Sequence, residues 1–289
     1  MSALSFPPID AGALSSQKTM RPKTIGVFDS GVGGLTVLQA IHRRLPGEST
    51  AYLGDTARVP YGPRSPELVI RYCIDNARFL LNQDLKLLVI ACNTASAVAM
   101  DVLQKMLAIP VIGVIEPGAR AAAAATRNNR IGVIGTRGTV KSGAYQSAIR
   151  KQRSGMEIRA CACPLFVPLA EEGWTDGHIA QLTAESYLSS FRDFGMDTLL
   201  LGCTHYPLLK GAIAQAVGGD VALVDPAQAV AAAAEELLEL RGWKADPAAG
   251  TSPSRRYFVT DQPELFADVG ESFLGEPIRD IERISLPEF

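Results

Sequence analysis

The 289 residues contain no unbroken apolar run long enough to cross a bilayer, and the N-terminus lacks a basic stretch followed by an apolar core. Neither a membrane span nor a secretory leader is expected, which points to a cytoplasmic protein. Dominance by one sign of charge is lacking too: 28 Lys and Arg face 30 Asp and Glu, scattered rather than blocked, for a formal net charge of −2. Without a basic face, neither nucleic acid nor an anionic membrane is an expected partner. The five cysteines, Cys73, Cys92, Cys161, Cys163 and Cys203, are odd in number and widely spread. That argues against the disulfide framework of a small secreted protein and leaves thiols. Cys161 and Cys163 resemble a C-x-C metal fragment, but no second pair and no histidine stands nearby at ligand spacing, so no metal is expected. The Walker lysine pattern and the G-x-S-x-G elbow are absent. No lysine lies at a strand end near the cysteines, which leaves no obvious anchor for pyridoxal phosphate.

What is present is a regular alternation. From Lys23 onward, short β-rich runs such as "TIGVF", "LKLLVIA", "IPVIGVI", "RIGVIG" and "DTLLLG" are separated by amphipathic stretches, among them 35–45, 67–82, 95–107 and 178–194. Continuous apolar strands between helices predict parallel sheets covered on both faces, an α/β protein. At about 150 residues per domain, the length suggests two domains. Residues 1–22, rich in Pro, Ser, Ala and Gly, read as a flexible N-terminal extension. Residues 243–256 read as an exposed loop, followed by a last strand in "RRYFVT" and a helix over 263–274.

The chain also repeats itself. "IGV" at Ile25 returns at Ile131, Val59-Pro60 has a counterpart in Val167-Pro168, and Cys92 in Cys203, all in the same order and at similar spacing. The inference is two similar doubly wound parallel-sheet domains related by pseudo-twofold symmetry, with the active site in the cleft between them. The expected limits are 23–117 plus 226–289 for the first domain and 118–225 for the second. Chance recurrence of "IGV" and "VP" in an α/β chain is the competing explanation.

Each half delivers a thiol at the end of its third strand, in "VIACNTAS" and "LLGCTHYP". Ligands of open parallel sheets bind beyond the carboxyl ends of the strands, so facing halves would bring Cys92 and Cys203 to one cleft. Two thiols across a small substrate suit racemisation, one taking a proton from a carbon and the other returning one to the opposite face. A cysteine is apt because its ordinary pKa of about 8.5 is close to neutral, and a helix N-terminus lowers it. Cys73 falls inside a helix pattern and reads as core; His42 and His178 lie in helical stretches and read as structural. "DSGVGG" fails the dinucleotide fingerprint, since Thr36 occupies the last glycine position and Asp29 would repel a pyrophosphate. Asp55, at the end of the second strand, keeps a nucleotide-binding module with incidental cysteines as the alternative.

"IGVFDSGVGGLTVL", "YLGDTARVPYG", "ACNTAS" and "LLGCTHYPLL" together resemble the glutamate racemase family, from about Thr24 to "YFVTDQPELF". The resemblance implies a cofactor-independent enzyme that interconverts L- and D-glutamate and supplies D-glutamate for peptidoglycan. It implies that Cys92 deprotonates the D enantiomer and Cys203 the L enantiomer. Asp29 would assist the first thiol, His205 the second, and Glu171 would line the site, with the neighbouring Glu172 leaving two registers open. Substrate contacts are implied for Asp29, Ser30, Pro60, Tyr61, Gly62, Asn93, Thr94, Thr136, Thr139, Thr204 and His205. Asp29 could instead cap a helix, and Tyr61 could be turn packing. A homodimer stays open.

Overall fold

Strand β1 (Thr24–Asp29) is buried along its whole length, as a central parallel strand must be when helices cover both faces. The structure, a computed structural model, describes residues 24–246 and 252–287. The expected N-terminal extension and the middle of the 243–256 loop lie outside the described residues. After β1 come α1 (Leu35–Arg44), β2 (Thr50–Gly54), α2 (Pro66–Leu81), β3 (Leu85–Ile90), α3 (Asn93–Met106), β4 (Val111–Gly113) and α4 (Ile115–Ala125). A second run holds β5 (Arg130–Gly135), α5 (Arg137–Ser142), α6 (Ala144–Gln152), β6 (Glu157–Ala162), α7 (Phe166–Glu171) and α8 (Gly177–Leu188). It continues through β7 (Thr198–Gly202), α9 (Lys210–Val217) and β8 (Ala222–Val224). The chain then passes through α10 (Pro226–Leu240), β9 (Arg255–Val259), α11 (Pro263–Leu274) and β10 (Ile281–Arg283).

Two sheets result, ordered β10-β9-β2-β1-β3-β4 and β6-β5-β7-β8, and every pairing is parallel. Without β9 and β10, both sheets have the same order: second strand, first, third, fourth. The sequence repeat is therefore a repeat of topology. One apolar cluster joins the halves, running from Leu35 and Leu38 of α1 through Ala119 of α4 and Val230 of α10 to Ile131 and Leu199 of the second sheet. Another fills the opposite face of the first sheet, where Phe28, Leu53 and Ile90 meet Ala99 and Leu103 of α3.

Some local expectations change. The fourth strand stops at Gly113 because Ile115 already opens α4, whose first turn contains Pro117; proline is tolerated there since those N–H groups have no helical partner. The helix expected over 178–194 ends at Leu188 and tightens into a short 3₁₀ turn over Ser189–Phe191. Strand β10, three residues at a sheet edge, carries too little pattern to read in advance.

A buried ion pair fixes the return of the chain. Lys86 Nζ lies 2.5 Å from Glu48 Oε2, with both side chains almost wholly buried. Lys86 also donates to the Trp243 carbonyl at 2.7 Å, and Glu48 Oε1 accepts the Ala245 N–H at 2.7 Å. The pair thus satisfies backbone groups of the segment after α10, as buried charge requires.

Candidate active site

The ends of β1, β3, β5 and β7 converge on one cavity of about 40 Å³. Eleven of the residues singled out in the sequence line it: Ser30, Pro60, Tyr61, Gly62, Cys92, Asn93, Thr94, Thr136, Cys203, Thr204 and His205. Both thiols are among them. Asp29, Glu171 and Thr139 do not line it; each stands beside a residue that does. Val59 and Val167 complete the wall, and these sequence reasoning missed. An apolar cavity that takes up benzene needs about 150 Å³, so this compartment is too small for an amino acid.

Cys92 caps α3 directly, in extended backbone conformation, with its Sγ 3.7 Å from Ser30 Oγ. Burial pushes the thiol up, the neighbouring Asp29 pushes it further, and the N–H of Ala95 in the first turn pulls it down, leaving it at about 12. The expected lowering by the helix end is therefore present but outweighed, because a helix terminus is worth less than the desolvation of a fully buried thiolate. Asp29 is wholly buried. Its Oδ2 accepts the Gly31 N–H at 2.9 Å, its Oδ1 has no partner among the described residues, and burial raises its pKa against the pull of His205.

Cys203 is partnered differently. It leads into a 3₁₀ turn over Tyr206–Leu209 before α9 begins, so the second strand end lacks the direct helix cap expected there. Its Sγ lies 3.8 Å from His205 Nδ1. The other ring nitrogen, Nε2, stands 2.8 Å from Glu171 Oε1, which makes Glu171 rather than Glu172 the carboxylate in contact with the histidine. Burial alone would depress the imidazole, but hydrogen bonds with Cys203 and Glu171 more than offset it and lift it to about 10. The ring is held edge-on to Phe273 of α11 at 5.2 Å between centroids. One thiol thus has a carboxylate neighbour and the other an imidazolium.

Three threonine hydroxyls form a closed triangle across the gap. Thr94 lies 2.8 Å from Thr136 and 3.3 Å from Thr139, which are 3.1 Å from each other. Thr136 also caps α5 by accepting the Thr139 N–H.

The glycine loop owes its composition to close packing. A Cβ on Gly33 would lie 2.3 Å from Thr204 Oγ1 and 2.5 Å from the His205 ring, so only glycine lets the β1–α1 loop sit against the second half. Asp55 is fully buried; Arg58 Nε donates to its two oxygens at 3.0 and 2.8 Å. The Tyr61 hydroxyl donates to Asp55 and accepts from Asn76 Nδ2 at 3.1 Å. Tyr61 therefore turns its hydroxyl away from the cavity and braces the Pro60-Tyr61-Gly62 wall. With its oxygens engaged, Asp55 presents no free carboxylate to a nucleotide.

The remaining groups lie elsewhere. Cys73 is core. His42 is buried, with Nε2 3.0 Å from Thr50 Oγ1, and burial with nearby Arg255 lowers it to about 3. His178 is exposed. A hydrogen bond from Cys163 holds Cys161 down to about 6. Among the described residues, no three His, Cys, Asp or Glu side chains converge as metal ligands would.

A family model described as Asp/Glu/Hydantoin racemase matches residues 25–234. A glutamate racemase of Geobacter metallireducens is 56% identical over 264 residues, covering 91% of this chain and 97% of the relative. The chain belongs to the glutamate racemase family. The crystal structure of the family's isoform RacE1 from Bacillus anthracis superposes with a TM-score of 0.88 at 41% identity, covering 92% of this chain and 98% of that one. The family member from Francisella tularensis, solved in complex with D-glutamate, superposes at 0.86 with 40% identity, covering 91% and 98%. The two parallel-sheet domains are thus the family fold, and a small molecule is the kind of ligand its cleft takes.

Proposed function

We propose that this protein interconverts L- and D-glutamate by a two-base proton transfer, with Cys92 and Cys203 on opposite faces of the substrate α-carbon. The observation that carries this reading is that both sulfurs line one small cavity, Cys92 beside the Asp29 carboxyl group and Cys203 beside the His205 imidazole. In the L-to-D direction Cys203 takes the α-proton, the electron pair left on carbon delocalises into the carboxylate, and the Cys92 thiol returns a proton to the other face. The raised Cys92 value means that this thiol holds the proton it must give. In the reverse direction Cys92 passes its proton to Asp29 and takes the α-proton, while Cys203, protonated by the His205 imidazolium, returns a proton to the opposite face. His205, positive at neutral pH, balances charge on Cys203 and is itself oriented by Glu171.

Closing such a site dries it, and a dry site strengthens every electrostatic contact with a weak carbon acid. The residues proposed to hold the two carboxylates and the ammonium group are Ser30, Asn93, Thr94, Thr136, Thr139 and Thr204, with the Pro60-Tyr61-Gly62 backbone. The units that move are proposed to be 23–117 plus 226–289 against 118–225. The same reading assigns the protein to the cytoplasm and to D-glutamate supply for peptidoglycan, and leaves a homodimer open. No helix among the described residues is long and apolar enough to span a membrane.

The test is direct. Protein stripped of metal and added cofactor, incubated with L-glutamate in deuterated water, should exchange the α-proton for deuterium with loss of optical rotation. L-aspartate in a parallel sample should stay unexchanged. A silent glutamate sample, or faster exchange on aspartate, would overturn the assignment.

A further inference from the structure

Tyr145, on α6, belongs to none of the motifs that carry the site. Its side chain is fully buried, and its ring occupies room that two glycines leave. A Cβ on Gly202, just before Cys203, would lie 3.0 Å from the ring, and one on Gly118 would lie 3.3 Å from it. From that seat the hydroxyl crosses to the first half and donates to Asn93 Oδ1 at 2.6 Å. Burial, with Asp225 and Cys203 acting in the same direction, keeps the phenol well above the usual tyrosine value. It therefore holds its proton and serves as the donor of that bond.

The consequence falls on Asn93, which follows Cys92 and lines the cavity. A primary amide offers an oxygen that only accepts and a nitrogen that only donates. With the oxygen held by Tyr145, the Nδ2 group has no protein partner among the described residues, yet it is not a sealed, unsatisfied atom. It is left open at the cavity.

We infer that Tyr145 is a positioning residue for the proposed racemisation: its hydroxyl fixes the Asn93 amide so that the NH₂ group, not the oxygen, faces a carboxylate of the substrate. This rests on the racemase reading above. A freed amide could turn and present its oxygen, which repels a carboxylate. Because Tyr145 stands on the second half and Asn93 on the first, the donor is aimed only while the halves are together.

Tyr145→Phe removes the hydroxyl and keeps the ring. KM should rise between about twofold and tenfold for both enantiomers, the range one neutral hydrogen bond supports, with kcat within about twofold, the pattern of lost uniform binding. The dissociation constant of D-glutamate, measured by calorimetry, should rise by a similar factor. In an Asn93→Ala background the same tyrosine change should leave that constant unaltered, because the partner it acts through is gone. An unchanged KM in the single variant overturns the proposal, and so does an equal rise in both backgrounds, which would mean that Tyr145 acts by packing alone. Wild-type protein silent toward both enantiomers would overturn the racemase reading itself, and this one with it.

Discussion

At the scale of single residues, the two cysteines are alike in sequence setting and opposite in electrical setting. Cys92 sits beside a buried carboxylate and Cys203 beside an imidazole lifted to about 10. Replacing either thiol by a hydroxyl, as in Cys92→Ser or Cys203→Ser, should cut inversion by about 10²–10⁴-fold, the usual worth of a positioned acid or base. Exchange of the α-proton should survive on one enantiomer only, and on opposite enantiomers in the two variants, which proton NMR in deuterated water distinguishes. The Glu171–His205 contact makes a pH prediction. The imidazole titrates near 10 when folded and near 6.5 when unfolded, so the folded state binds the proton more tightly. Its contribution to stability is full below pH about 6.5 and is lost as pH rises through about 10. Thermal melts of wild-type protein and Glu171→Gln should differ most near pH 6 and converge above pH 10.

At the scale of elements, the Lys86–Glu48 pair shows how much a single contact can secure. Lys86→Met leaves Glu48 buried without a counter-ion and removes the Lys86 donor from the Trp243 carbonyl. The expected cost is roughly 3 kcal/mol or more, seen as a clear drop in the thermal midpoint, and adding Glu48→Gln should recover part of it. Neither Lys86 nor Glu48 stands out in the sequence, since a charge in a strand and another before one give no sign of meeting. The central strands were legible because burial on both faces leaves an unbroken apolar run, as in "LLVIA". The thiols were legible because they recur at the same strand end. Val59 and Val167 were visible as a repeated Val-Pro pair but not as site residues, and Tyr145 was not visible at all, because a residue that reaches a site from a distant helix leaves no local pattern. The expected lowering of Cys92 went wrong for a related reason: helix position can be read from sequence, whereas the depth of burial that outweighs it cannot. Asp55 shows the converse, a strand-end acid that suggests a nucleotide until Arg58 and Tyr61 are seen to occupy it.

At the scale of the whole molecule, the two sheets share one apolar cluster through α4 and α10, while their strand ends meet through polar side chains. The threonine triangle and the Tyr145–Asn93 bond cross the gap. Saturating D-glutamate should therefore slow amide exchange in α4 and α10 and at the first turn of α3, as closure about the joining helices is favoured. Unchanged exchange in all three would count against the proposed moving units.

The 40 Å³ chamber carries a kinetic corollary. On the two-lobe motion proposed above, a vessel smaller than its guest admits and releases it only when the lobes swing apart, once in each catalytic cycle. Chemistry inside could quicken without limit and throughput would still be capped by that breathing. Where that breathing is the slow step, viscous solvents, which drag on large bodies and leave a proton hop untouched, slow turnover in proportion.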